Sequence, residues 1–198
     1  MDKTKKEITM EPDKARQDRA RKMMLWFGMI SLGMSFAGLT SAYVVSKERP
    51  DWLTDFQIPQ AFYISLIVII LSSITFHIAK KKIVNNENKA GMSLLILTFL
   101  LGVAFAVLQF LGFSQIIANG YFFTGSESTI TTSFIYLVVL LHLTHIFAAL
   151  ISVLVVIYNH YKQKYTLGNT VGLEIAVTFW HFVDILWIYL FLFFYFVR

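Results

Sequence analysis

Long uncharged runs alternate along this chain with short polar connections. Met23 to Ser46, Phe56 to Ala79 and Ala90 to Ser126 hold no charged side chain, and two further apolar runs cover about Thr131 to Tyr158 and Leu173 to Val197. A helix rises 1.5 Å per residue, so about 20 apolar residues cross the hydrocarbon core of a bilayer. The pattern therefore predicts an all-α integral membrane bundle with helices at about 23–46, 58–79, 90–117, 131–158 and 173–197. The third uncharged run is long enough for a helix plus a turn around Asn119, Gly120 and Gly125. Residues 1–22 are polar and form a solvated arm, with 23–198 as the transmembrane domain. The run after the arm is too long for a secretory signal and lacks a small-residue cleavage site at its end. No internal repeat stands out.

Charge placement orients the bundle. Eight Lys and Arg lie in the N-terminal arm, four between the second and third helices (Lys80, Lys81, Lys82, Lys89), and two, Lys162 and Lys164, between the fourth and fifth. These are 14 of the 17 in the chain, and all fall on one side of a five-span topology. The positive-inside rule then makes the N-terminus cytoplasmic and the C-terminus periplasmic. A net charge of +5 is thus a topology signal, with no nucleic-acid partner implied. Arg19, Arg21, Lys22 and Trp26 fall where lipid headgroups would meet the first helix.

With 57% hydrophobic and 15% charged residues, too little polar material remains to cover a soluble core. Cysteine is absent, which excludes disulfides, thiolate metal sites and iron–sulfur clusters. Polar groups inside a bilayer are costly, so candidate chemistry is sought there. Glu174 and His181 are two turns apart on the fifth segment, with Asp184 three residues further on and about 16 Å into the membrane. On the fourth segment, His142 and His145 share a face. If these two helices are neighbours, Asp184 lies near His142, and His145 falls between the levels of Glu174 and His181. Such a cluster can lock helix packing, handle protons or ions, or, given a third ligand, hold a metal. Ser72, Ser73, Thr75 and His77 on the second segment read as interhelical hydrogen-bonding groups. Gly28, Gly33 and Gly38 lack the small-xxx-small spacing of a helix-dimer seam.

Trp180-His181-Phe182-Val183-Asp184, followed by Trp187 and preceded six residues before Trp180 by Glu174, resembles the final-helix signature of subunit III of haem-copper oxidases. His142-x-x-His145, Pro59 with Ser72-Ser73-x-Thr75, Phe105-x-x-x-Gln109, and Trp26 through Gly38 with Tyr43 are similar to that family's other helices, in the same order. Leu32 and Gly112 stand where the family carries buried glutamates. The resemblance implies the short five-helix bacterial form: an accessory inner-membrane subunit without haem or copper of its own. Those cofactors would belong to partner subunits. It would dock on subunit I beside subunit II, bind structural phospholipids and support proton uptake during oxygen reduction. The electron donor, cytochrome c or quinol, is not written in the chain. An accessory subunit of nitric oxide reductase is the near alternative. A stand-alone proton or solute transporter is the alternative from another class, although five helices offer no inverted pair of halves. An intramembrane hydrolase lacks a nucleophile–base pair or a metal motif.

Overall fold

The computed structural model describes residues 2–49, 52–53, 57–125, 128–165 and 170–197, with side chains from Lys14 onward. Pro50, Phe56 and Ser126, which mark connections in the sequence, lie outside the described residues. Five helices follow one another: α1 (Asp2–Val45), α2 (Gln60–Val84), α3 (Asn88–Ala118), α4 (Ile130–Tyr161) and α5 (Val171–Val197), with a short 3₁₀ turn at Ser46–Glu48 after α1. All five are long and apolar enough to cross a membrane. The helix of α1 runs back through the polar arm to Asp2, so the arm has a helical backbone and the first element is longer than the uncharged run alone requires.

The helix ends follow from local chemistry. Pro59 sits at the N-cap of α2, where a missing backbone N–H costs nothing. Thr129 caps α4 by accepting from the Thr132 N–H, while the Thr132 hydroxyl accepts from the Thr129 N–H. This reciprocal capping box satisfies two end donors that would otherwise be unpaired. Between α2 and α3, Asn86 has φ 65°, a left-handed conformation that asparagine tolerates better than most residues. The polarity change at Asn85-Asn86-Glu87 is thereby turned into a tight reversal.

In the bundle α2 packs extensively on α3, and α3 on α4. The helix α5 touches α2, α4 and α1, and α1 packs on α5 and α4. Close approach is made possible by glycine. A Cβ at Gly102 would stand 2.6 Å from Trp180 and 2.8 Å from Leu150, and one at Gly112 would stand 2.2 Å from the Phe62 ring. The α3 backbone thus leaves room for large rings from α5 and α2. Trp180, Trp187, Phe36, Phe76 and Phe105 fill the centre and are buried to 1% exposure or less.

Candidate functional site

On α5, the heptad spacing of Glu174, His181 and Asp184 places them on one side of the helix, as the sequence predicts. The structure then hands Glu174 to α1 and the other two to α2. Glu174, near the start of α5, accepts from Lys22 Nζ of α1 at 2.6 Å and from the Thr170 hydroxyl. This ion pair ties the base of α1 to α5, and because both side chains remain partly exposed it is worth only about 0–1 kcal/mol. Two turns further on, His181 Nδ1 lies 2.6 Å from the Ser73 hydroxyl of α2, and its ring is 6.0 Å from that of His77. Asp184 is 2% exposed. It lies beside the same Ser73 hydroxyl, yet neither carboxyl oxygen has a hydrogen-bond partner within the bundle among the described residues.

The α4 histidines face elsewhere. His142 is fully buried and stacked on Trp187, with ring centroids 5.2 Å apart and planes 25° apart. Phe36 of α1 and Phe105 of α3 meet it edge-on at 6.3 and 6.1 Å. Among the described residues neither of its ring nitrogens has a hydrogen-bond partner. His145 Nδ1 turns back to the Leu141 carbonyl at 2.7 Å, and its ring also meets Phe36, at 5.9 Å. Helices α4 and α5 are neighbours, but their polar residues form no single cluster. His181 is engaged by α2, His142 by an aromatic cage and His145 by its own helix with α1. Among the described residues no group of three His, Cys, Asp or Glu is placed to hold a metal ion.

Of the headgroup candidates, Trp26 is 59% exposed and Arg19 is exposed. Arg21 lies 3.8 Å from Asp18, and Lys22 is paired with Glu174. Sequence reasoning groups Ser73 and His77 with other α2 hydroxyls and misses that they belong to the His181 site. It also misses Phe36, which touches both α4 histidines. On α2, Thr75 bonds Thr98 of α3 at 3.0 Å, and on α3 Gln109 donates to Ser65 of α2 at 3.0 Å. The Thr75 contact fulfils the interhelical role expected of the α2 hydroxyls, and the Gln109–Ser65 contact adds one the sequence pattern did not single out.

A bundle of five membrane-crossing helices with buried imidazoles and a buried carboxyl, and without a metal-binding constellation among the described residues, defines a polytopic membrane protein built around a polar-studded, tightly packed core. The family model described as "Cytochrome c oxidase subunit III" matches residues 51–198, and the chain belongs to that family of haem-copper oxidase subunits. Among its relatives is the "Cytochrome c oxidase subunit 3" of Alkalihalophilus pseudofirmus, 26% identical over 95% of this chain and 92% of the relative. The "Cytochrome bo(3) ubiquinol oxidase subunit 3" of Pseudomonas putida is 27% identical over 84% of this chain and 80% of its own length. The corresponding cytochrome c oxidase subunit of Bacillus sp. strain PS3 is 28% identical over 79% and 75%. The chain is accordingly a multi-pass bacterial membrane protein and a component of the respiratory chain.

Proposed function

We propose that this chain is the cofactor-free accessory subunit III of a proton-pumping terminal oxidase, docked on the catalytic subunit I and stabilising it. Electron transfer and oxygen reduction take place on haem and copper held by partner subunits. The observation that carries this reading is the dispersal of the intramembrane polar residues. Several of them pack one helix against another, as with His142 in its aromatic cage and His181 on Ser73, and among the described residues no three His, Cys, Asp or Glu side chains converge. In this reading the N-terminus is cytoplasmic, since 14 of 17 Lys and Arg fall on that side. Arg19, Arg21 and Trp26 lie at the level of phospholipid headgroups, and the complex resides in the bacterial inner membrane. Support of proton uptake acts through the integrity of subunit I, because Leu32 and Gly112 replace the buried carboxylates that the family resemblance would supply.

The test is purification of the chain in mild detergent, with mass spectrometry of its companions and a reduced-minus-oxidised visible spectrum. Co-purification with a haem-bearing subunit is expected, with the haem signal following that subunit. Asp184→Leu tests the packing role of the α5 polar residues. It should lower the amount of this chain retained per haem while leaving the turnover of complexes that keep it unchanged. Full retention with abolished turnover would remove the structural reading.

A further inference from the structure

His181 and Asp184 share more than one side of α5, because both meet Ser73 of α2. Asp184 is 2% exposed, and neither of its carboxyl oxygens has a hydrogen-bond partner among the described residues. The side-chain hydroxyl beside it is that of Ser73, which stands 2.6 Å from His181 Nδ1. His181 is half-buried, and its ring lies 6.0 Å from that of His77, which is exposed one turn before Lys80, Lys81 and Lys82. The four side chains form a column from the core towards the basic end of the bundle, with a titratable group at each end and one between. The α4 histidines have no such continuation: His142 is enclosed by rings, and His145 is turned to the Leu141 carbonyl. Facing the column are Lys80 of α2, which with His77 acts electrostatically on His181, and Glu174 of α5, itself paired with Lys22 of α1. About one turn to either side of Asp184 on α5, Trp180 and Trp187 are buried to 1% exposure or less, so the column stops at the carboxyl.

A carboxyl enclosed in this way is stabilised by a proton or by a hydrogen bond, and a serine hydroxyl, donor and acceptor at once, can supply either. We propose that Asp184 is a proton-binding site in exchange with the basic side of the membrane through Ser73, His181 and His77. On release, the carboxylic acid passes its proton to the Ser73 oxygen as the Ser73 hydroxyl proton moves to His181 Nδ1. The serine is unchanged, Asp184 is left as a carboxylate, and His181, which begins with its proton on Nε2, becomes an imidazolium. The Nε2 proton then leaves to the exposed His77, which hands it to water at the surface. Uptake runs the same steps in reverse. Because the column ends at Asp184, the site takes a proton from one side and returns it to that side, without carrying it across. This goes beyond the accessory-subunit reading and does not depend on it.

Infrared spectroscopy of the full chain, purified in mild detergent with whatever accompanies it, tests this when light water is exchanged for heavy water. The carboxylic-acid carbonyl band of Asp184 is the one missing from Asp184→Asn, and it is expected to take its deuterium shift within the mixing time. Ser73→Ala, His181→Phe and His77→Leu should each slow that shift about tenfold, the effect of one lost hydrogen-bonded step on a barrier. The last of these replaces an exposed side chain, so it tests the route even where a buried substitution prevents assembly. Ser73→Thr keeps the hydroxyl and should restore the wild-type rate, and His145→Phe should leave that rate unchanged. A shift that takes minutes to hours in the wild type, as exchange through opening of the bundle does, would overturn the proposal, as would the loss of no carbonyl band in Asp184→Asn. Wild-type rates in Ser73→Ala, His181→Phe and His77→Leu would overturn the route, and equal slowing by His145→Phe would reduce the effect to one of packing. The accessory-subunit reading would stand in each of these cases, since co-purification with a haem-bearing subunit decides it separately.

Discussion

His142 shows what a histidine does when a bundle encloses it. Its ring is stacked on Trp187 and hemmed by Phe36 and Phe105, with no hydrogen bond at either nitrogen among the described residues. In that setting the imidazole serves as a flat, polarisable plate, and its shape contributes more than its proton chemistry. His142→Phe should therefore leave the thermal unfolding midpoint of the detergent-solubilised chain nearly unchanged. His142→Ala should cost about 3–5 kcal/mol, because it opens a cavity among four helices. A Phe variant as damaged as the Ala variant would show that an unseen hydrogen bond to the ring matters. The chemical identity of this residue is legible in the sequence, and so is its depth. Its role is not, because Trp187, Phe36 and Phe105 come from three other helices, and nothing in a linear spacing tells which azimuth each presents.

Between elements, the determining contact is backbone against ring. At Gly112 of α3 a Cβ would stand 2.2 Å from Phe62 of α2, so the two helices approach as closely as a hydrogen side chain permits. Where the family resemblance places a glutamate, this chain has an aromatic ring from the next helix filling the space. Gly112→Glu should destabilise the solubilised chain by at least about 1–3 kcal/mol through overpacking. Phe62→Ala should destabilise it by about 3–5 kcal/mol through a cavity. The two together should cost less than the sum of the singles, since the new side chain enters the vacated volume. Strict additivity in thermal unfolding would show that Phe62 does not occupy the glutamate's place. The glycine pattern is visible in the sequence, but its partner is not: Phe62 and Gly112 are 50 positions apart and meet only because the Asn86 turn folds α3 back along α2.

For the whole molecule, hydropathy and charge carried most of the architecture. The uncharged runs match the five helices, because apolar length is what a bilayer reads, and the polar interruptions at Asn85-Asn86-Glu87 and around Gly120 coincide with turns. The gathering of Glu174, His181, His142 and Asp184 into one cluster did not follow from depth alone. Equal depth on neighbouring helices leaves each side chain free to face a third, and here α2 and α1 took them. Topology is the property of the whole that charge bias predicts most directly, and the absence of cysteine makes it accessible to measurement. A single cysteine replacing Lys14 in the helical arm or Asn86 in the α2–α3 turn should react with a membrane-impermeant maleimide only after the membrane is opened. One replacing Phe123, between α3 and α4 and 40% exposed, should react in intact spheroplasts. Moving the chain the other way round would require carrying the basic arm and both basic loops across the membrane against the negative-inside potential, at about 2.3 kcal/mol per charge per 100 mV. Labelling of Lys14→Cys in intact spheroplasts would therefore reverse the orientation of every helix and place the Lys22–Glu174 pair at the outer surface.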